Sequence, residues 1–320
     1  MTSSEEPQSD QAPPSVVAKC AGALWAGTAL VTVFTYWQEP LILTLASSFR
    51  VQLLLALIAF SLAPMILFKG KRRLLFPAVP MVIGATFLSY FLPSGSGIDE
   101  VGATPQQTRI CVANVYSGNR DIAGLAQFVR DDPVEILGVL EVAPHHTSAL
   151  ESMGFDTVLL EPRASNFGIG LLSKENPLKT QILGRETPFP MILAEFEDFQ
   201  VLLAHPAPPL NNSARQVGDQ LVAECAALVE ASKKPTVVMG DLNATGWDLR
   251  VLPLKEAGLK DARSGFGILP TWPTHNSLML IPIDHIFVPE SWEVAECLRG
   301  PDIGSDHFPL KATLLHPARP

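Results

Sequence analysis

Apolar residues are distributed unevenly along the 320-residue chain. Cys20–Trp37, Val51–Phe68 and Leu74–Leu92 are runs of 18, 18 and 19 residues without a charged side chain. A helix rises about 1.5 Å per residue, and a bilayer core of ~30 Å needs ~20 apolar residues. The pattern therefore predicts three transmembrane helices. Pro64, Pro77 and Pro80 fall inside the second and third runs, where neighbouring helices can satisfy the freed backbone groups. The residues before the first run are acidic and proline-rich (Glu5, Glu6, Asp10, Pro13, Pro14), with Lys19 the only base. That is not a signal-peptide pattern, so the first run is read as retained. Lys69, Lys71, Arg72 and Arg73 between the second and third runs place that turn in the cytoplasm by the positive-inside rule, against a single Arg50 at the opposite end. The expected organisation is a disordered N-terminus over 1–15, a membrane anchor over 16–92, a Pro/Gly/Ser-rich linker over 93–108 and a folded domain over 109–320. With three crossings of a cell (inner) membrane, the N-terminus is cytoplasmic and the folded domain extracytoplasmic.

Beyond the linker the periodicity changes. Strands are expected at Arg109–Val115, Val134–Leu140, Phe167–Ser173, Met191–Phe196, Gln200–Ala204, Thr236–Met239, Asp284–Val288 and Leu310–Leu315. Helices are expected at Ile122–Arg130, near Thr147–Met153, at Ala214–Ala231 and at Leu249–Ala257. This is an α/β pattern with a sizeable sheet. Polar residues interrupt it at repeated places. Asn114, Glu141, His205, Asp241 and Asn243 follow or end apolar strands, where open α/β sheets bind ligands. Asp284, Asp306 and His307 precede apolar strands. If all eight share one site, some strands run the opposite way and the sheets are mixed.

Composition narrows the class. The chain is 47% hydrophobic and 17% charged, against about 25% charged in ordinary domains. This excludes a disordered or collagen-like chain. Its four cysteines (Cys20, Cys111, Cys225, Cys297) form no close pair, which excludes a disulfide scaffold. The 98 residues before Asp99 hold 4 of the 32 acids and 6 of the 23 bases, so the remaining 28 acids and 17 bases give the rest a net charge of −11. A general duplex binder needs Lys and Arg against phosphates, so nucleic acid is possible as a partner but not favoured.

The motifs, taken in order, are more specific than any one alone. LEV at Glu141, NFGIGLLSK at 166–174, AHPAPP at 204–209, MGDLNAT at 239–245, TWP at 271–273, IDHIFV at 283–288 and GSDHFPL at 304–310 resemble the endonuclease/exonuclease/phosphatase superfamily, which includes deoxyribonuclease I. With the apolar N-terminus, the chain resembles a membrane-anchored bacterial branch. The resemblance covers roughly residues 108–316. It implies a four-layer sandwich of two mixed β-sheets flanked by helices. It also implies Mg²⁺ as cofactor, with Mn²⁺ as a substitute, held by Glu141, Asp306 and Asn114. The catalytic set it implies is His307, oriented by Asp284; Asp241 and Asn243 for the water and phosphate; Asn114; and His205 as a second histidine.

The chemistry suits those residue types. Mg²⁺ prefers carboxylate and amide oxygens, and a bound metal offsets charge on a phosphoryl group. A carboxylate beside His307 favours its charged form. Trp272 and Pro273 are candidates for a substrate wall, and Arg163 and Arg215 for further phosphate contacts. The resulting expectation is a membrane-anchored phosphohydrolase, of phosphodiesterase or endonuclease type. The alternatives are a phospholipid or small-molecule phosphoesterase and a catalytically silent receptor for a phosphorylated ligand. No charged residue lies inside an apolar run, so an ion-transport path is not indicated. The sequence carries no signal on self-association.

Overall fold

The computed structural model describes residues 15–92 and 106–316. The segment expected to be a disordered N-terminus and most of the expected linker lie outside the described residues. The chain forms two compact units: one takes in residues up to Trp37 and Arg50–Thr86, the other Gln38–Phe49 and Phe87 onward.

The smaller unit is helical. Its helices are α1 (Val16–Phe34), α3 (Arg50–Leu67) and α4 (Leu75–Ala85); α2 (Leu41–Ser47) belongs to the larger unit. Trp25 Nε1 donates to Ser61 Oγ at 3.0 Å, tying α1 to α3. Arg50 is buried: its guanidinium donates to Thr35 O at 2.6 Å and lies 4.0 Å from the centre of the Tyr36 ring. Bonding and stacking account for a base at the start of an apolar helix. Helices α1 and α3 are long and apolar enough to cross a membrane, with 17% and 22% of their apolar windows buried within the protein.

The third apolar run departs from expectation. It is divided among a 3-10 turn at Gly70–Leu74, α4 and a second 3-10 turn at Leu88–Tyr90. Eleven α-helical residues rise about 16 Å, roughly half a bilayer core, so two helices rather than three meet the length for a span. The end of the run is engaged by the larger unit. Ser89 O and Tyr90 O accept hydrogen bonds from Gly265 N and Gly267 N at 3.1 and 2.6 Å. The Phe87 and Tyr90 rings meet Trp247 edge-on.

Twelve strands among the described residues build the larger unit. In chain order they are β1 (Gln106–Asn114), β2 (Ile136–Leu140), β3 (Thr157–Glu161), β4 (Ile169–Ser173), β5 (Lys179–Leu183), β6 (Met191–Glu195), β7 (Gln200–Ala204), β8 (Thr236–Asp241), β9 (Leu259–Asp261), β10 (Asp284–Pro289), β11 (Glu293–Arg299) and β12 (Leu310–His316). They form two six-stranded sheets, ordered β11-β12-β1-β2-β4-β3 and β5-β6-β7-β8-β10-β9. Each sheet has one parallel pair at its centre, β1 with β2 and β7 with β8, and antiparallel pairs elsewhere. The sheets are mixed, as the strand-end polar residues required.

Strand β8 shows why the sandwich closes. Val237 and Met239 enter the core between the sheets, while Val238 joins the layer under α7 (Asn212–Ala231). Both faces are apolar because both are covered. On the outer face of the first sheet, Leu125 and Phe128 of α5 (Ala123–Asp131) pack with Leu137 and Val139. Shorter helices α6 (Thr147–Glu151) and α8 (Leu252–Glu256) complete the outer layers. The four strands absent from the sequence reading, β3, β5, β9 and β11, are the four sheet edges. Edge strands present one side to solvent, so their apolar signal is weak: in β11 only Val294 and Cys297 are buried.

Gly240 in β8 has φ 157°, and a Cβ there would lie 1.8 Å from Ala204 O. Only glycine permits β8 to approach β7 this closely one residue before Asp241. Gly240→Ala is expected to destabilise the protein by about 3 kcal/mol, read as a lower thermal midpoint of the detergent-solubilised protein.

Candidate active site

The two parallel strand pairs bring their carboxyl ends to one rim. Asn114 ends β1, Glu141 follows β2, His205 follows β7 and Asp241 ends β8. β10 runs antiparallel to β8 and sets Asp284 directly opposite Asp241. His307 lies three residues before β12, which runs antiparallel to β1. All eight residues named from sequence converge here. Glu141, His205, Asp241, Asn243, Asp306 and His307 line a pocket of about 490 Å³, and Asn114 and Asp284 bond to these from behind.

Asn114 is the hub. Its Nδ2 is 3.1 Å from Glu141 Oε1, 3.2 Å from Asp241 Oδ2 and 3.5 Å from His307 Nε2. Its Oδ1 accepts from Tyr116 N at 3.0 Å, which fixes the amide with its donor facing the carboxylates. Glu141 adopts a left-handed backbone, φ 59°, a strained state for a residue with a side chain. Its second oxygen accepts from Ser117 N at 2.9 Å. Asn243, with φ 50°, donates its backbone N to Asp241 Oδ1 at 2.9 Å and its Nδ2 to Pro206 O at 3.1 Å.

His307 sits between two carboxylates. Nδ1 is 2.9 Å from Asp284 Oδ2, and Nε2 is 3.6 Å from Asp241 Oδ2. Burial opposes a charge on the ring, but Asp284 and Asp241 outweigh it and raise the imidazole to about 9. His307 is therefore a cation at neutral pH. Burial pushes Asp241 up to about 7 against the pull of His307. Asp284 is also buried, yet His307 holds it below the ordinary carboxylate value. Burial, reinforced by the charge on His307, pushes His205 down to about 3, so it is neutral.

Asp241, Asp284 and His307 present ligand-competent atoms within 4.8 Å of one another. Hydrogen bonding already engages His307 Nδ1, and an imidazolium offers no lone pair to a metal. Asp306 is different. Its Oδ2 accepts from Trp272 Nε1 at 3.1 Å, while its Oδ1 is buried without a hydrogen-bond partner. With Glu141 it supplies the oxygens suited to a hard cation.

Several supporting residues lay outside the sequence reading. Ser305 Oγ donates to Asn114 O at 2.7 Å and accepts from His307 N at 3.2 Å, joining β1 to the histidine loop; its place in the Ser-Asp-His triplet was the available signal. Beneath Asp284 lies a buried cluster with no local sequence signature. Asp261 Oδ2 is 3.3 Å from Arg263 Nη1 and 2.8 Å from His285 Nδ1. Arg263 also donates to Asp284 O, and His285 Nε2 lies 2.8 Å from Ala244 O. Trp272 proves to be an Asp306 partner as well as a wall. Arg163 and Arg215 do not line the pocket. Arg163 donates to Thr187 O and Arg185 O, and Arg215 pairs with Glu39 and Asp219.

A family model for the endonuclease/exonuclease/phosphatase family matches residues 111–307. The chain belongs to this family. It is therefore a phosphoester hydrolase of the nuclease and phosphatase type. Among solved structures, a Neisseria 3′ phosphatase (NExo) bound to product DNA hairpin matches with TM-score 0.54 and 18% identity, over 64% of this chain and 98% of the other. A humanized D. rerio TDP2 matches with TM-score 0.54 and 15% identity, over 65% and 98%. A family protein from Bacteroides thetaiotaomicron matches with TM-score 0.53 and 16% identity, over 68% and 97%. At these identities the likeness establishes the fold. No curated protein matches the sequence.

Two outcomes follow from this geometry. His307→Ala is expected to lower kcat/KM on a chromogenic phosphodiester by about 10²–10⁴-fold, and Asp284→Asn to lower kcat with KM little changed. Asp261 is held well below the ordinary carboxylate range, because Arg263 and His285 outweigh its burial. Its stabilisation is thus fully present above about pH 5 and lost as pH falls below 4. Asp261→Asn should cost about 3–5 kcal/mol at pH 7, and the deficit should shrink in acid melts.

Proposed function

We propose that the chain is a membrane-associated, divalent-metal-dependent phosphodiesterase. The observation that carries this reading is the convergence of Asn114, Glu141, Asp241 and His307 through one amide nitrogen at the strand ends. Asp241, steered by the Asn243 backbone, orients the attacking water. His307, held charged by Asp284, is the electrostatic clamp on the phosphate. Asn243, which lines the pocket, donates to a phosphate oxygen without adding negative charge, while Asn114 orients Glu141 and Asp241. His205, neutral and 3.6 Å from Asp241, lines the pocket as a hydrogen-bond partner rather than an acid.

Electrostatics supports the metal. Three carboxylates and one imidazolium line the pocket with Asp284 directly behind, and among the described residues no Lys or Arg lines it. An anionic phosphate would meet net repulsion there without a further cation. Glu141 and the unpartnered Asp306 Oδ1 would hold Mg²⁺ or Mn²⁺; Asn114, with its donor turned to the site, acts as positioner rather than ligand. The metal, when bound, supplies charge neutralisation at a phosphoryl oxygen.

Membrane association is supported by α1 and α3. The basic residues Lys71, Arg72 and Arg73 lie in the turn between α3 and α4, at the far end of α3 from Arg50.

Nucleic acid is the competing substrate, favoured by NExo and its DNA hairpin and disfavoured by the pocket's lack of bases. The deciding assay incubates the solubilised protein with bis-p-nitrophenyl phosphate and with supercoiled plasmid, in Mg²⁺, Mn²⁺ or EDTA. Turnover of the diester, abolished by EDTA and reduced at least about 100-fold in Glu141→Gln, is expected. Diester turnover undiminished in EDTA overturns the metal reading, and plasmid nicking that exceeds diester turnover favours the nuclease.

A further inference from the structure

The catalytic pocket has a chemically mixed lining. It carries the acids and histidines already described. Leu45, Phe49, Pro208, Pro209, Leu210 and Ile281 line it as well. Leu45 and Phe49 come from Gln38–Phe49, the stretch of chain that leaves α1 and enters α3.

This segment is a fixed wall. Gln38 is buried, donates from Nε2 to Trp247 O at 3.2 Å and accepts from Leu249 N at 3.0 Å. Trp247 Nε1 donates to Ser47 O at 2.7 Å. Glu39 pairs with Arg215 at 3.0 Å, and Thr44 Oγ1 donates to Gln38 O at 2.7 Å. Both ends of α2 are thus bonded, and the apolar side chains between them are held at the mouth. Leu210, also in the lining, is 76% exposed, and Leu278 and Met279 stand exposed on the loop whose base is the Trp272–Ile281 bridge.

We propose that this apolar part of the lining is a subsite for an aliphatic chain, and that the substrate is a lipid phosphodiester; the proposal rests on the phosphodiesterase reading above. Three observations carry it. The apolar wall is continuous with the catalytic groups. Among the described residues no Lys or Arg lines the pocket to follow a polyanionic backbone. The segment that builds the wall lies in sequence between two helices with membrane-spanning length and composition. In the reaction, water oxygen bonds to phosphorus, the P–O bond to one alcohol breaks, and the proton released from water ends on that alcohol. The products are a free alcohol and a phosphomonoester, and no redox partner is needed.

The test uses the full chain in detergent with two monomeric probes, methyl and octyl p-nitrophenyl phosphate, assayed below the octyl ester's aggregation concentration. The octyl ester should show kcat/KM at least about 30-fold higher, because each buried methylene contributes about 0.8 kcal/mol at most. Leu45→Ala and the solvent-facing Leu210→Ala should each reduce the octyl-to-methyl ratio several-fold. Leu210→Ala truncates an exposed side chain, so its result does not depend on refolding of a core. Equal kcat/KM for the two esters, or variants that lower both equally, overturns the chain subsite while the phosphodiesterase reading stands. No turnover of either ester with any divalent metal overturns both. Vesicles of phosphatidylglycerol or of sphingomyelin, followed for phosphomonoester release, separate a glycerolipid from a sphingolipid source; release from neither overturns the lipid assignment.

Discussion

Two carboxylates opposite each other on neighbouring strands cannot both stay charged in a buried site unless a cation lies between them. The β8–β10 register imposes that condition on Asp241 and Asp284, and His307 meets it with one ring nitrogen toward each. Much of the surrounding architecture serves this arrangement. Ser305 anchors the His307 backbone to β1, and Arg263 fixes the Asp284 carbonyl. The Asn114 amide is locked with its donor inward. Low local dielectric makes each of these contacts stronger than it would be in water, and makes any missing partner more costly.

The same charge balance governs what can enter. A site rich in carboxylates attracts cations more readily than phosphate, so an anionic substrate there calls for added positive charge. Because no Lys or Arg among the described residues lines the pocket, little remains to hold the rest of a long polyanion. Apolar residues of α2 and its neighbours, Leu45, Phe49 and Leu210, share the lining with the acids and histidines.

Much of the fold and site was legible in the sequence. The interior strands β1, β2, β4, β6, β7, β8, β10 and β12 are apolar because they are covered on both faces or face the inter-sheet core, and they were read to within three residues at their ends. The edge strands were not legible. Lys179–Leu183 and Glu293–Arg299 mix exposed polar and half-buried residues, and their strand identity comes from hydrogen bonding to a neighbour. The third apolar run misled for the opposite reason: its composition suits a span, yet backbone bonds from Gly265 and Gly267 draw its last turn into the catalytic unit.

The sequence alone determined the family, the α/β class and the eight chemical groups, because strand-end polar residues in a fixed order constitute a local, readable signal. It also determined that the sheets had to be mixed, since acids both follow and precede strands. Tertiary structure decided which groups touch: that His307 is a cation between two aspartates, that Asn114 acts as a donor, and that Arg163 and Arg215 are engaged elsewhere. It alone revealed Asp261, Arg263 and His285 beneath Asp284, and α2 at the pocket mouth. Those relations depend on which distant segments become neighbours, and that is set by long-range strand pairing and core packing rather than by any pattern within a segment.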